Sequence, residues 1–437
     1  MLKKVFGFIA ILFTFILLSA PPQAIIAMTP AETVVTPGTV VRFSGKITNG
    51  DQIPGNARVF YEEYVDGIRK RMGHIALDEE ITLERTMRDP GWYMVRLRLV
   101  DENNRDIHIG GKPVSGGRGV MIDPQNIPAS SARPADFDEF WNSRRALLDT
   151  VPIRELERRE VGNDPQSRLA VYDVKVSCPG SRPVSGILTM PRNAPDRSLP
   201  AFVFFQGAGV STAVSYGGFG PHAMTFMVNA HGIDNLRERS YYQELANGSL
   251  RNYAHFNKND REKIYFHDMF LRVMRALEYV KSLPQWNGQI LIVRGGSQGG
   301  AQAIVAAAMD PQVTLLIAEV PAMSDHNGFK HRIPRRCGWP TFYGFDASDQ
   351  DVVRTASYYD MVNFASRIRC EAYITTGLTD LVCPPNGVAC VFNVLVSENK
   401  HFLIHPTGDH AGAQLDRAFL QNVINRLTAH LKESDNN

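Results

Sequence analysis

One segment in the second half of the chain constrains the fold more than any other. Residues 290–293 form an apolar run, residues 301–309 are rich in alanine, and Ser297 lies in a short turn between them. This order predicts a buried parallel strand, a tight turn and a helix. Gly295 and Gly299 flank the serine at positions where a β-carbon would collide with backbone as the strand turns into the helix. The pattern is that of a nucleophile elbow, with an ordinary glycine-rich loop as the alternative.

Alternating strands and helices precede this turn. The sequence predicts strands at residues 170–176, 186–190 and 201–205 and a long helix at residues 269–282. This order of elements is typical of a mostly parallel, doubly wound sheet with helices on both faces. We therefore predict an α/β fold of the α/β-hydrolase type for residues 135–437.

In the part of the chain before residue 124, apolar residues recur with the period of two that is typical of β-strands. Apolar and polar residues alternate in residues 39–47, 57–64 and 91–100, with turn residues between these segments. Short alternating strands at this spacing predict a small β-sandwich, immunoglobulin-like in type, over residues 28–123. Such a module could bind sugar, but we favour a structural role. Residues 124–134 are the predicted linker.

The first residues predict export. Residues 1–27 combine two early lysines with an apolar run at 5–18 that is too short for a comfortable membrane span. Cleavage is predicted after Ala27, with Ala24 as a second option. The expected location is therefore periplasmic or secreted, with no stable membrane anchor; an uncleaved anchor is the alternative.

Length, charge and cysteine content limit the number of domains and the kinds of partner and cofactor. A chain of 437 residues predicts two domains, and its 47 basic and 45 acidic residues give a net charge of only +2. Such a balance disfavours nucleic acid as a partner. Five cysteines leave at least one thiol free, although one disulfide among Cys370, Cys383 and Cys390 is possible. No metal-ligand spacing is present, so we expect neither a metal nor another cofactor.

A serine nucleophile needs a carboxylate that orients its base. In this fold the acid follows the serine in the chain and lies after a later strand. Asp380 follows the predicted strand at residues 371–377 and is the candidate acid. Asp325, which follows the strand before it, is the alternative.

The base is expected to come last in the chain. His410 lies in a glycine-containing loop that could reach Ser297, whereas His401 and His405 lie at the two ends of the preceding strand. We therefore predict His410 as the base, in the order Ser297, Asp380, His410. Asp409 is interpreted as a solvated loop charge.

Two backbone N–H groups are candidates for an oxyanion hole. Gln298 begins the predicted helix, so its N–H is free and lies at the positive end of the helix dipole. Ala208 lies in a glycine-rich loop after the strand at residues 201–205. A routine loop is the alternative for this second position.

Several separated motifs now suggest a family. The chain resembles the acetyl xylan esterase and cephalosporin C deacetylase family, carbohydrate esterase family 7, at residues 134–141, 275–278, 296–300 and 377–386 and at His410. The resemblance implies an α/β-hydrolase that removes acetyl groups from xylose-based and other small acetylated sugars. It also places the family's triad on Ser297, Asp380 and His410.

The chain departs from the family pattern near the serine. Gln206-Gly-Ala208 stands where the family usually has His-Gly-Tyr, His231-Gly-Ile replaces Arg-Gly-Gln, and Ala411 replaces a glutamate. Backbone donors survive such changes, so their effect is expected on the substrate.

Together these features predict a secreted serine esterase that acts through an acetyl-enzyme on an acetylated oligosaccharide or polysaccharide. A broader carboxylesterase or serine peptidase is one alternative, and a catalytically impaired carbohydrate-binding protein is the other. The number of subunits cannot be inferred from the sequence.

Overall fold

The computed structural model describes residues 23–48, 52–130, 132–162, 167–215, 222–342, 348–413, 415, 418–419, 421–423 and 425. Most of the predicted leader, including its apolar run, lies outside the described residues. No helix in the described ranges is long and apolar enough to cross a membrane.

The first hundred described residues form two main β-sheets and a small hairpin. The strands are β1 (Gln23–Thr29), β2 (Val34–Val35), β3 (Val40–Thr48), β4 (Arg58–Val65), β5 (Ile68–Ile75), β6 (Ile81–Thr86), β7 (Gly91–Val100), β8 (His108–Ile109), β9 (Lys112–Pro113) and β10 (Ser115–Ile122). One sheet has the order β1-β3-β6 and the other the order β2-β10-β7-β4-β5, while β8 and β9 pair only with each other. We call this part of the molecule the β-rich region.

The two main sheets share one apolar core, as period-two alternation requires. In β1, for example, every second residue is buried. Met28 and Phe43 from the first sheet pack in the same cluster as Tyr93, Val95 and Val120 from the second. Burial between the sheets therefore accounts for the alternation seen in the sequence.

The rest of the chain forms one mixed sheet with helices around it. Its elements are α1 (Phe137–Asp149), β11 (Glu155–Glu160), β12 (Leu169–Val176), β13 (Val184–Pro191), β14 (Leu199–Phe205), β15 (Met224–Val228), α2 (Arg239–Asn247), α3 (Tyr265–Ser282), β16 (Trp286–Gly296), α4 (Gln298–Met309), β17 (Leu315–Glu319), α5 (Gln350–Tyr358), α6 (Met361–Ala365), β18 (Glu371–Gly377), α7 (Pro385–Val394) and β19 (Lys400–His405). The order across the sheet is β11-β12-β13-β15-β14-β16-β17-β18-β19. Pairing is antiparallel from β11 to β15 and parallel from β15 to β19.

The parallel half of this sheet is almost wholly apolar. All seven residues of β14 and all five of β17 are buried, as expected for strands covered on both faces. The carboxyl ends of these strands meet at one edge, so the loops after β14, β16, β18 and β19 lie close together. That edge is where an open α/β sheet binds its ligands.

Hydrogen bonds join the β-rich region to this edge. Trp92 in β7 donates from Nε1 to the carbonyl of Leu378 at 2.9 Å, and Gly119 in β10 donates to the carbonyl of Pro406 at 3.0 Å. A third bond runs from the N–H of Arg336 to the carbonyl of Asp66 at 2.8 Å. The β-rich region therefore contacts the loops that follow β18 and β19.

The predicted linker is also held in place. Asp325 accepts from both the N–H and the hydroxyl of Ser130, at 2.8 and 2.6 Å, and Arg335 donates to the carbonyl of Pro128 at 2.7 Å. The predicted domain boundaries themselves stay predictions.

All five cysteines are free thiols. The expectation that one disulfide could form among Cys370, Cys383 and Cys390 is therefore wrong. Cys370 is half-buried near the start of β18, whereas the other two are buried beside and within α7, so the three thiols belong to separate environments.

Candidate active site

Ser297 lies on the sharp turn between β16 and α4. Its backbone has φ +56° and ψ −123°, a region that residues with a β-carbon rarely adopt. A β-carbon on Gly295 would lie 2.2 Å from the carbonyl oxygen of Gly299, and one on Gly299 would lie 2.2 Å from that of Phe205. Both glycines are therefore required by close backbone approach, as the sequence predicts for a nucleophile elbow.

The three predicted side chains form one continuous hydrogen-bonded chain. His410 Nε2 lies 2.9 Å from Ser297 Oγ, and His410 Nδ1 lies 2.8 Å from Asp380 Oδ2. The other carboxylate oxygen of Asp380 accepts from the N–H groups of Val382 and Cys383, at 2.7 and 2.9 Å. Since Asp380 is buried, these bonds fix its carboxylate toward the histidine.

The carboxylate also changes the acidity of the histidine. The hydrogen bond to Asp380 raises the pKa of His410 above its usual value of 6.5, and partial burial opposes this change. The imidazole is therefore a stronger base than a free histidine. Its Nδ1 carries the proton donated to Asp380, which leaves Nε2 free to accept the hydroxyl proton of Ser297.

The alternative residues weighed in the sequence lie elsewhere. Asp325 binds the linker at Ser130. His401 stacks on the ring of Tyr373 with centroids 4.3 Å apart, and His405 is the last residue of β19. In the described part of the chain, none of the three bonds to Ser297.

One predicted oxyanion donor, Ala208, lines the same cavity as Ser297, and the other, Gln298, directly follows the serine in the chain. The cavity has a volume of about 660 Å³, and Gly207, Ala208, Ser297 and His410 are among its lining residues. Gln298 is the first residue of α4, so its N–H has no partner within the helix. Two amides suited to a developing oxyanion therefore lie near the candidate nucleophile, Ser297.

Side chains of α4 hold the loop that contains Ala208. Gln298 Nε2 donates to the carbonyl of Gly207 at 3.2 Å, and Gln302 Nε2 donates to the carbonyl of Gln206 at 2.9 Å. Tyr253 donates to the Gln298 side chain at 2.6 Å. These supporting roles were not predicted, because two glutamines one turn apart carry no signal without the partner loop.

The residues that depart from the family pattern support this loop as well. Gln206 donates to the carbonyl of Thr212 at 2.6 Å and accepts from the N–H of Ala230 at 3.1 Å. His231 Nε2 lies 3.0 Å from the carbonyl of Gly209. Burial lowers the pKa of His231 to about 4, so the ring is neutral and donates from Nε2. The substituted residues therefore brace the loop with bonds of their own.

The cavity walls are mainly apolar. Its apolar lining residues include Trp339, Val382, Phe204 and Met227. Such a lining suits a small acyl group better than a charged one.

One cluster contains residue types that can bind a metal ion. Within the described ranges, ligand atoms of Asp380, Cys383 and His410 lie within 4.8 Å of one another. Both ring nitrogens of His410 already take part in hydrogen bonds to Ser297 and Asp380, so a metal here would displace the chain described above. The cluster therefore does not fit a resident metal.

The strand order, the elbow and the cavity at the carboxyl ends of the strands define an α/β-hydrolase. Comparison with known proteins identifies the family. The family model described as acetyl xylan esterase (AXE1) matches residues 125–425, and the chain belongs to this family. It is accordingly a carboxylic-ester hydrolase.

A curated relative agrees with this assignment. The chain is 30% identical over 341 residues to the acetyl esterase Axe7A of Xylanibacter ruminicola, a match that covers 74% of this chain and 72% of that protein. The resemblance predicted from the separated sequence motifs is thus confirmed.

Two solved structures share the fold. The acetyl xylan esterase from Paenibacillus sp. R4 superposes with a TM-score of 0.59 at 23% identity, covering 70% of this chain and 98% of that chain. Acetyl xylan esterase 1 from Thermoanaerobacterium sp. JW/SL YS485 gives 0.54 at 20% identity, covering 69% and 95%. The predicted fold class is confirmed. Because the family match begins at residue 125, the β-rich region precedes it.

Proposed function

We propose that the protein is an exported serine esterase that removes acetyl groups from acetylated carbohydrates. The observation that carries the proposal is the hydrogen-bonded chain from Ser297 through His410 to Asp380, with distances of 2.9 and 2.8 Å. Ser297 and His410 line a cavity together with one candidate oxyanion donor, Ala208, and the second candidate, Gln298, follows Ser297 at the start of α4. These are the parts that acyl transfer through a serine requires.

The first half of the reaction forms an acetyl-enzyme. Ser297 Oγ attacks the acetyl carbonyl carbon while His410 Nε2 takes the hydroxyl proton. The N–H groups of Ala208 and Gln298 stabilise the negative charge on the carbonyl oxygen. When the tetrahedral intermediate collapses, the bond to the sugar oxygen breaks, and that oxygen takes the proton from His410.

The second half releases acetate. A water molecule gives a proton to His410 as its oxygen attacks the acetyl-enzyme. When the second intermediate collapses, the bond to Ser297 Oγ breaks, and His410 returns the proton to that oxygen. Asp380 holds the imidazole in the required tautomer and stabilises its protonated form throughout. The reaction needs no cofactor.

The substrate assignment draws on the relatives. The matched family and the relative with 30% identity carry acetyl xylan esterase and acetyl esterase in their names. Export is supported by the pattern of residues 1–27 alone. Recovery of the full-length protein in the cytoplasm of a bacterial host, with residues 1–27 intact, would contradict it.

The catalytic assignment predicts the effect of Ser297→Ala. Removing the nucleophile should lower kcat for acetate release by a factor on the order of 10⁶, as in other serine hydrolases. Acetate release from p-nitrophenyl acetate measures this directly. Ser143→Ala is a matched control, since that hydroxyl donates to a helix carbonyl on α1, and it should behave as wild type. Equal, slow rates in wild type and Ser297→Ala would favour the catalytically impaired binding protein.

A series of acyl chains separates an acetylesterase from the broader alternatives. The acetate ester should be hydrolysed far faster than the butyrate ester or a peptide amide. Equal rates across chain lengths would favour a general carboxylesterase, and cleavage of the amide would favour a peptidase.

A further inference from the structure

A second cavity lies between the β-rich region and the hydrolase sheet. It has a volume of about 400 Å³. Arg96 and Ser115 line it from the β-rich region, and Thr379, Thr407 and Asp409 line it from the loops after β18 and β19. We call it the inter-region crevice. Neither the family match nor the proposed mechanism accounts for it.

The inter-region crevice adjoins the cavity of the nucleophile. His410 and Val382 line both cavities. The side chain of His410 is 30% exposed, and Val382 is 44% exposed. A substrate whose acetyl group reaches Ser297 can therefore extend past these two residues into the crevice.

The charge of Arg96 is available to a ligand. Glu62 lies opposite Arg96 in the ladder between β4 and β7, but its carboxylate pairs with Arg69 and Arg98, at 2.8 and 3.6 Å. Within the described ranges, Arg96 itself makes no ion pair or side-chain hydrogen bond, and the residue is exposed. Its guanidinium offers five N–H donors in a fixed plane.

The opposite wall offers acceptors. Asp409 Oδ1 accepts from the N–H groups of Ala411 and Gly412, at 3.0 and 2.8 Å, which holds the carboxylate in place. In the part of the chain that is described, Oδ2 has no hydrogen-bond partner. A cleft lined by both an arginine and an aspartate suits a neutral ligand with several hydroxyl groups, because hydroxyls accept from one side chain and donate to the other. Asp409 disfavours an anionic ligand and Arg96 disfavours a cationic one.

The two walls are fixed to each other. The bonds from Trp92 to Leu378 and from Gly119 to Pro406 join the strands of one wall to the loops of the other. The β-carbon of a residue at Gly117 would lie 2.8 Å from Thr379 Cγ2, so the walls meet closely at one end of the crevice. The opening is thus a defined cleft between two docked surfaces.

We propose that the inter-region crevice is a subsite for a neutral sugar unit next to the acetylated one, with Arg96 and Asp409 binding its hydroxyl groups. The proposal rests on the proposed function and deepens it, because it makes an oligosaccharide the preferred substrate. It also gives the β-rich region a part in substrate binding.

The test compares two substrates in one set of variants. Acetylated xylotriose occupies the crevice in this proposal, whereas p-nitrophenyl acetate is too small to do so. We expect Arg96→Ala to lower kcat/KM on acetylated xylotriose about tenfold more than on p-nitrophenyl acetate, the typical effect of losing hydrogen bonds to a charged group. Arg105→Ala is the matched control, since Arg105 is an exposed arginine between β7 and β8 of the same region, and it should leave the ratio of the two kcat/KM values unchanged.

A second variant covers the case in which Arg96→Ala fails to fold. Thr407 is exposed at the crevice, and Thr407→Trp should fill it and lower the same ratio. The proposed subsite would be overturned if the folded Arg96→Ala and Thr407→Trp proteins both kept the wild-type ratio of kcat/KM on acetylated xylotriose to kcat/KM on p-nitrophenyl acetate. If wild type hydrolyses p-nitrophenyl acetate but releases no acetate from any acetylated sugar, the proposed function fails, and the subsite fails with it.

Discussion

At the scale of single residues, the site depends on conformations that its neighbours enforce. Ser297 occupies a strained backbone region, and the glycines on either side allow the strand and helix to approach closely enough to hold it there. Strain of this kind costs on the order of 1–3 kcal/mol and persists only where the surrounding structure fixes it. The buried, fully bonded Asp380 fixes the histidine in the same way.

The pH dependence of the reaction should report the pairing of Asp380 with His410. In the proposed mechanism His410 acts as a base only when it is neutral, so activity should be lost as the pH falls through its pKa. Because Asp380 raises that pKa, the acid limb of kcat/KM should lie above pH 6.5. A limb well below that value in wild type would contradict the arrangement.

Asp380→Asn tests the same pairing by mutation. The asparagine can still accept from Val382 and Cys383, but its amide would face His410 Nδ1 and force the proton onto Nε2. Nε2 could then no longer accept from Ser297. We expect a loss in kcat of about 10⁴-fold, the size known for the wrong tautomer, and an acid limb shifted to lower pH. Measured pH–rate profiles of the two proteins check both effects. An Asp325→Asn variant is the control, and it should keep the wild-type limb.

The candidate residues of the site could be read from the sequence because each lies at the end of a strand with a distinctive local pattern. The side chains that support them could not. Gln302, His231 and Tyr253 are distant in sequence from the loop around Ala208 or interchangeable with ordinary core residues. Their roles appear only when long-range contacts bring the elements together.

At the scale of elements, the loops after β18 and β19 are hydrogen-bonded to the β-rich region. These loops contain Asp380 and His410, and they accept hydrogen bonds from Trp92 and Gly119 through the carbonyls of Leu378 and Pro406. A shift of either loop by about 1 Å would lengthen the bonds to the histidine, and displacement of this size can cost about 10²-fold in rate.

Gly119→Ala should produce such a shift. The added β-carbon would lie 2.5 Å from the carbonyl oxygen of Leu378 and 3.0 Å from Trp92 Nε1, so the backbone of the loop has to move. We expect kcat for p-nitrophenyl acetate to fall at least tenfold, with a lower melting temperature. Gly55→Ala is the matched control, because nothing lies within 4 Å of its added β-carbon. Wild-type kcat in a folded Gly119→Ala protein would show that the loops do not depend on this contact.

At the scale of the whole molecule, the sequence predicted a β-rich part followed by an α/β part, in the right order. It did not predict the contacts between them. Period-two alternation and the alternation of strands with helices are local signals, so each part could be predicted by itself. The favoured structural role of the β-rich region is consistent with its contacts to the two loops. The inter-region crevice had no local signal, because its lining residues Arg96 and Asp409 are over 300 positions apart in the chain.

The predicted leader cleavage sites overlap the first strand of the β-rich region. Strand β1 begins at Gln23 and pairs with β3 along its whole length, and Ala24, Ile26 and Met28 are buried in the core between the sheets. Cleavage after Ala27 would remove five of its seven residues, and cleavage after Ala24 would remove two. The predicted sites therefore fall within a strand of the folded region.

Two truncated proteins measure what this strand contributes. A protein that begins at Gln23 retains β1, whereas one that begins at Met28 keeps only two of the seven residue pairs with β3 and loses the burial of Ile26. Burying an isoleucine side chain is worth about 1.5–3 kcal/mol, so the shorter protein should unfold at a lower temperature and at a lower denaturant concentration. Strand β1 also contacts β10, and β10 bonds to the loop at Pro406. The kcat of the shorter protein should therefore fall as this loop loses support. Equal melting temperatures and equal kcat in the two proteins would show that the region folds without β1, and cleavage after Ala27 would then leave a fully stable enzyme.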